Sequence, residues 1–493
     1  MKKTGYFITG LGTLITLLCL AIDLFGIGKA GIQSAQLLGI QIGVVIALFG
    51  LGLVNINSQK EKSLVDGVSK FFGKFLNAPI LTWLLLGFFV TYLLFFIFPV
   101  FFNSTSRMFY FFRYIPDQYP IGGDLLYNTS AIHEWLLGHN PYSITGHFYP
   151  PLYHVVFAPI LLLGYPNNYY LLTSITIASL VFMTFVLPFL LGKSRDEAVL
   201  LFFLLTGLFS YGLQFELERG QFNVIALMLC VSAIYLFYYH PEFRYLAYFI
   251  FSVSIHLKLY PAIFIVMFVK DWKDWKSNIK RFAGLGIFNI ALLFVMGPDV
   301  LLNFLQALQK NSGAGWTFPG NHSIMAFVYN LTHQGYDQIS SATLPWLNGS
   351  ATLIGFALMG CFLVCFLLVF SKAYRENSGG LNPDLLLVCT LGAMMLPSVS
   401  IDYKLELLAA PMAIAFSNRE IPEKMWQKIV FIFAILIASI GYSLTLVPYK
   451  YRIDYGILVN SLPMLFAILL AITTISLISK REAVANPSLS ETA

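Results

Sequence analysis

Long apolar runs recur from Phe7 to Ile478, almost uninterrupted by charge. About 20 such residues in helical form cross a bilayer, where every backbone polar group must find its partner within the protein. Fourteen candidate spans follow: about 7–27, 36–55, 80–102, 169–191, 198–212, 222–239, 245–256, 259–270, 282–297, 351–370, 384–397, 405–417, 429–447 and 457–478. Several are too short for a full crossing, so the expected fold is an all-α polytopic membrane protein. It has about 12–14 transmembrane helices, some tilted, locally unwound or packed in a cavity. Composition excludes a soluble enzyme, because only 11% of the 493 residues are charged, against roughly 25% in an ordinary soluble chain.

The net charge of +6 would suit a nucleic-acid partner if it were clustered, but most Lys and Arg lie between apolar runs. They report topology. With both termini cytoplasmic, segments 59–75, 193–195, 270–281, 372–375 and 419–428 are inside and hold most of the 30 Lys and Arg, as the positive-inside rule requires. The two long connections, 103–148 and 298–350, then face outward; aromatics, His and Gly-Pro punctuation mark them as lids or site walls. Parity makes 149–163 a partly inserted helix. The alternative is a true span there, with 245–270 as one long helix and Gly220-Gln221 inside.

The domain reading is two extra N-terminal spans with a cytoplasmic linker (1–79), a main module (80–297) carrying the first outer loop, the second outer loop (298–350), C-terminal spans (351–480) and a disordered cytoplasmic tail (481–493). The first helix reads as uncleaved, since no small-residue cleavage site follows it cleanly. The run from Lys270 to Lys276, with Trp272 and Trp275, reads as an interface anchor. The five cysteines lie in apolar stretches without a CxxC or a pairing framework, and no His spacing indicates a tight metal site.

Candidate chemistry gathers at the outer face. In Gly122-Gly123-Asp124 a lone acid opens an amphipathic stretch, Leu125 to Leu137, able to lie along the membrane surface. Asp124 is placed either as a general base or as a helix N-cap. Tyr127, His139 and Tyr142 follow in the same loop. Arg219-Gly220-Gln221-Phe222-Asn223 stands at the mouth of a span, where helix dipole and side-chain donors suit an anion or sugar hydroxyls; the other reading is an Arg snorkelling to headgroups. His256 and Lys258 interrupt an otherwise apolar stretch before Pro261, and ionisable groups at such depth face a cavity or ligand, with Lys258 assigned to a phosphate. In Gly320-Asn321-His322-Ser323 the imidazole is either a phosphate donor or a loop His bonded to backbone. Asp402 and Lys404 are either an ion pair at a helix start or part of an anion site. No phosphate-binding GxxxxGK[ST] loop and no GxSxG occur.

Taken in order, Gly123-Asp124, Gly138-His139-Asn140-Pro141-Tyr142, Tyr149-Pro150-Pro151-Leu152, Arg219-Gly220-Gln221-Phe222-Asn223, Lys258-Leu259-Tyr260-Pro261, Gly320-Asn321-His322-Ser323 and Asp402-Tyr403-Lys404-Leu405 resemble glycosyltransferase family 87, over about residues 80–480. The chain departs from that pattern at His322, where relatives often carry Gln, and at Asp402-Tyr403, where many carry His-Tyr. The resemblance implies a GT-C fold with 80–297 as catalytic module. It also implies a plasma (inner) membrane enzyme that moves a hexose or pentose, mannose foremost, from a polyprenyl-phosphate donor to a glycan or glycolipid acceptor on the extracytoplasmic face. By the same resemblance Asp124 is the base of an inverting transfer and Lys258, His322, Lys404 and Arg219 hold the donor phosphate. Tyr127, His139, Tyr142, Gln221, Asn223, Asn321 and Asp402 bind substrate, and membrane lipid is a partner; no cofactor, metal or nucleic acid is implied. The competing function is a multi-span transporter or flippase of lipid-linked saccharides, which needs a lipid groove and buried charge but no lone acid on a surface helix.

Overall fold

The apolar runs fold as helices in a computed structural model that describes residues 2–21, 34–58, 76–97, 121–144, 146–191, 196–312, 318, 320–332, 349–377, 379–447 and 460–479. The linker at 59–75, the early part of the first outer loop, segment 333–348 and the tail from 480 lie outside the described residues. Among the described residues β pairing is confined to one isolated bridge, between Asn321 and Ile401. The protein is a multi-pass, all-helical membrane protein.

The N-terminal pair α1 (Lys2–Ala21) and α2 (Ser34–Ser58) is a hairpin closed by small residues. Gly5 faces Gly50 so closely that a Cβ at Gly50 would stand 2.7 Å from the Gly5 carbonyl, the backbone approach that small residues permit between membrane helices. α2 packs in turn on α3 (Ile80–Tyr92).

Next come α4 (Gly123–Leu136) in the first outer loop, α5 (Pro151–Phe157) running into a 3-10 turn at Ala158–Leu163, and α6 (Asn167–Leu190). α7 (Glu197–Leu208) and α8 (Tyr211–Arg219) meet at a 45° bend, the form of a broken span or a re-entrant loop; Ser210 restarts the helix by accepting a hydrogen bond from the Leu213 N–H at 2.9 Å. α9 (Asn223–Tyr239) and α10 (Arg244–Leu257) pack side by side. Expected spans 245–256 and 259–270 are α10 and a 3-10 helix over Tyr260–Met267, parted at Lys258, whose backbone is extended. Pro261 lacks an N–H and disfavours helix just before it, so the single long helix of the alternative topology does not form.

The chain continues through α11 (Trp275–Leu292), α12 (Pro298–Ser312), α13 (Ile324–Thr332), α14 (Ala351–Glu376) and α15 (Pro383–Met395), then a 3-10 helix at Asp402–Leu408, α16 (Ala409–Phe416), α17 (Met425–Leu444) and α18 (Leu462–Ile478). Among the described residues α6, α14 and α17 are long and apolar enough to cross alone, and the bent α7–α8 pair passes the same test only when taken together. α3, α5, α9, α15 and α18 are apolar but shorter. α15 shows how a short apolar helix is accommodated: every residue from Asp384 to Met395 is buried in protein rather than facing lipid.

α9 separates two polar ends of the bundle, roughly 24 Å apart at 1.5 Å per residue. At one end Gln221 meets helix α4 at Asp124. At the other, Arg281 donates to the Phe268 carbonyl at 2.9 Å and to the Tyr248 hydroxyl at 3.1 Å.

Candidate active site

The turn from α8 to α9 is shaped by Gly220, which ends α8 in the left-handed region (φ +67°). A Cβ there would stand 2.8 Å from Leu125 Cβ and 3.1 Å from Gly122 Cα, so glycine is what lets α4 seat its first turn on this one. The Gly122 N–H donates to the Glu218 carbonyl at 2.6 Å, and Gly122 itself (φ +79°) is the N-cap of α4. Asp124 is therefore in the first helical turn but does not cap it. Its carboxylate faces the α8–α9 turn instead.

There Gln221 donates its side-chain amide to Asp124 Oδ2 at 2.6 Å, and Arg219 Nη1 stands 3.7 Å from Oδ1. The Gln221 carbonyl oxygen accepts from Lys258 Nζ, also at 2.6 Å. One amide thus joins an anion to a cation, with its dipole aligned to both. Lys258 donates a second hydrogen bond to the Tyr149 hydroxyl at 2.8 Å and lies 4.5 and 4.4 Å from the ring centroids of Tyr149 and Phe222. These rings hold the ammonium by cation–π attraction while keeping it nearly dry. Its third N–H has no protein acceptor among the described residues. Asp124 remains one-third exposed, enough for an incoming hydroxyl to reach it.

Behind this line Glu216 is fully buried. Its backbone carbonyl accepts from Gln221 N at 2.9 Å and its Oε1 from Val224 N at 2.9 Å, so it fixes both sides of the turn that carries Gln221. The Asn223 side chain, also fully buried, lies against this carboxylate. Lys404 donates to the Val399 carbonyl at 3.2 Å, lies 5.7 Å from the Tyr260 ring and is within electrostatic reach of Lys258 and Glu216.

Arg219, Gln221 and Lys258 thus gather at Asp124, Asn223 lies behind them beside Glu216, and Lys404 is within electrostatic reach of Lys258 and Glu216, whereas Asn321, His322 and Asp402 form a separate, sealed group. His322 Nδ1 is 2.9 Å from Asp402 Oδ1, its Nε2 is 3.1 Å from Ser400 Oγ, and His322 and Asp402 are wholly buried. Asp402 Oδ1 also accepts from Ser461 at 3.1 Å, and the Asn321 side chain accepts from the Ser323 and Ser400 N–H groups at 3.1 and 3.0 Å. This group latches the second outer loop to the chain before α16 and to the start of α18. His139 is exposed and paired with Glu134 at 2.7 Å, near the opposite end of α4 and about 15 Å along the axis from Asp124. Tyr127 is exposed one turn beyond Asp124, and Tyr142 donates to the Tyr149 carbonyl at 2.8 Å. Among the described residues no three His, Cys, Asp or Glu side chains are grouped to hold a metal ion.

Tyr149, as partner of Lys258, and Glu216 were not among the expected site residues. Glu216 lies between the expected spans 198–212 and 222–239, so the depth that makes an intramembrane acid a functional signal did not show in the sequence.

Interrupted spans packed around a polar site at one end of the bundle, with a surface helix laid over it, define a GT-C-like membrane protein. The model of glycosyltransferase family 87 matches residues 147–398, and the chain belongs to that family. The match takes in Arg219, Gln221, Asn223, Lys258, Asn321 and His322. Asp124 precedes it and is tied to it through Gln221 and Arg219. No curated protein and no solved structure matches the chain.

Proposed function

We propose that the protein is an inverting glycosyltransferase that moves a hexose or pentose, mannose foremost, from a polyprenyl-phosphate donor to a hydroxyl of a lipid or polysaccharide acceptor, on the extracytoplasmic face of the plasma (inner) membrane. The observation that supports this reading is the Asp124–Gln221–Lys258 line, which holds a solvent-reachable carboxylate and an aromatic-caged cation on one amide. The acceptor oxygen attacks the anomeric carbon from the face opposite the phosphate while Asp124 takes its proton. The bond from that carbon to the phosphate oxygen breaks, and the electron pair leaves with the phosphate. An anionic leaving group needs positive charge more than an acid, and Lys258, Lys404 and Arg219 supply it in a water-poor setting. Gln221 and Arg219 keep Asp124 aimed, and Tyr127, with Asn223 deeper in, is placed to contact sugar or acceptor.

The test is transfer from labelled polyprenyl-phosphate sugars by the purified protein. Asp124→Asn keeps the shape and the Gln221 contact but removes the base, so transfer falls by about 10²–10⁴-fold while donor binding persists. Full transfer by that variant overturns the mechanism.

A further inference from the structure

The far end of α9 carries a second cationic group that sugar transfer does not use. A cleft of about 450 Å³ opens there between α10 and α11, lined by Tyr245, Tyr248, Phe249 and Phe288 together with Lys280 and Arg281. Its size falls within the roughly 300–1,000 Å³ of ligand-binding clefts. Arg281 is held in place by Tyr248, by the Phe268 carbonyl and by Asn278 Oδ1 at 2.9 Å, and its guanidinium lies 5.1 Å from the Phe237 ring. Nη2 keeps no partner among the described residues. Arg244 reaches the same ring at 5.8 Å, and its Nε is buried without a hydrogen-bond partner.

Lys280 is exposed, and none of the three cations forms an ion pair among the described residues. Asp274 lies within reach of the charges of Arg281 and Lys280, but its Oδ1 is engaged in capping α11 through the Ser277 N–H at 3.1 Å. Lys280 and Arg281 thus bring two positive charges, neither in an ion pair among the described residues, to one cleft, and charge-assisted hydrogen bonds make such a pair suited to an anionic group. The outer walls meet lipid: Tyr245 is 87% exposed, and Phe249 and Ile287 are exposed beside it. Segment 270–281 is also the most basic connection on the side assigned to the cytoplasm, the leaflet where anionic lipids concentrate.

We infer that this cleft binds the headgroup of an anionic phospholipid of the cytoplasmic leaflet, with Lys280 and Arg281 at the phosphate and the first methylenes of the acyl chains along the aromatic wall. The site stands at the opposite end of the bundle from Asp124, so it is independent of the proposed transfer.

Gly284 lines the cleft, and a Cβ there meets nothing within 4 Å, so the side chain of Gly284→Phe starts into open space and takes up room in the cleft. Lys280→Gln removes a charge from the surface. The measurement is native mass spectrometry of the purified full chain titrated with phosphatidylglycerol, with phosphatidylcholine of the same chain length, and with sn-glycerol 3-phosphate as competitor. Phosphatidylglycerol is expected to bind at least tenfold more tightly than phosphatidylcholine and to lose about tenfold in each variant, with the lipid-free melting temperature unchanged. Glycerol phosphate is expected not to compete at comparable concentration. Equal affinity for the two lipids, or phosphatidylglycerol affinity unaltered in both variants, overturns the inference. So does displacement by glycerol phosphate alone, which makes the ligand a free phosphate, or by a polyprenyl phosphate at lower concentration, which makes it a lipid of the donor class.

Discussion

Gln221 donates its side-chain amide to the Asp124 carboxylate at 2.6 Å, and because the same amide accepts from Lys258, its orientation is fixed from both sides. Replacing it by Glu sets a second carboxylate against Asp124 and gives Lys258 a full counter-ion. Loss of one preorganised donor at a reacting charge costs about 10²–10³ in kcat. Gln221→Glu is expected to lose that much or more, and Gln221→Ala to lose less because it leaves no repulsive charge. Steady-state transfer by both variants checks this, and equal rates for the two would show that the amide is not aiming Asp124.

Lys258 is the cation closest to that line, and its third N–H is open to a ligand. Lys258→Met keeps the aromatic cage filled but removes the charge. Hydrogen bonds to charged groups contribute about 1.5–3 kcal/mol, so donor affinity is expected to weaken by roughly 10–100-fold. Binding of a non-hydrolysable polyprenyl phosphonate reads this directly, and unchanged affinity removes Lys258 from the phosphate site.

Asp124 and Lys258 were legible because each is a local anomaly: an acid behind a glycine pair, and a Lys inside an apolar run before a proline. That the apolar runs are helical was legible for the same reason, since apolar length is local information. What the sequence hid is tertiary. Glu216, Glu218 and Arg219 read together as one charged stretch, and only the packing of α8 on the Asp402–Leu408 helix buries Glu216. His322 and Asp402 are 80 residues apart, and the bridge that pairs Asn321 with Ile401 leaves no local periodicity to find. Nor does composition reveal where a span breaks into a 3-10 helix, as after Lys258 and before α16.

Gly220 allows α4 to reach the site. Gly220→Ala meets both a left-handed backbone, about 1–2 kcal/mol, and overpacking against Leu125 and Gly122, about 1–3 kcal/mol. A lowered melting temperature is expected together with a loss of transfer that exceeds it, since relief of the clash moves Asp124 from Gln221. Wild-type transfer in a destabilised Gly220→Ala protein would separate α4 from the chemistry.

The sealed position of His322 gives it a different expected signature. Removing one partner of a buried hydrogen bond leaves the other unsatisfied at a cost of about 1–3 kcal/mol, so His322→Ala should be destabilised. Donor KM of the folded fraction is expected to stay at the wild-type value. A raised KM without loss of stability would instead return His322 to the donor phosphate.

His147 couples α4 to α5 in a pH-dependent way. It is buried, its Nε2 lies 2.8 Å from His154 Nε2, and its Nδ1 lies 3.2 Å from the Asn128 side chain of α4. The Pro151 carbonyl can only accept, so His154 Nδ1 at 3.2 Å from it carries a hydrogen, and His154 Nε2 takes the His147 Nε2–H. His147 Nδ1 is then an acceptor, and with the Asn128 side-chain amide turned to present its N–H to it, both rings are neutral. Burial, and then the neighbouring His154, push His147 down to about 3 from an ordinary 6.5. Between those values the unfolded chain binds a proton that the folded chain refuses, so stability falls as pH falls through the window, by up to ~1.4 kcal/mol per unit, and is untouched above pH 7. Thermal unfolding from pH 7.5 to 4 should show that slope in the wild type and a flatter one in His147→Gln. Parallel curves would mean that another group sets the acid limit. Because Asn128 is one helical turn from Asp124, transfer in the wild type is expected to decline over the same window, and the His147→Gln protein to retain more of it at pH 5.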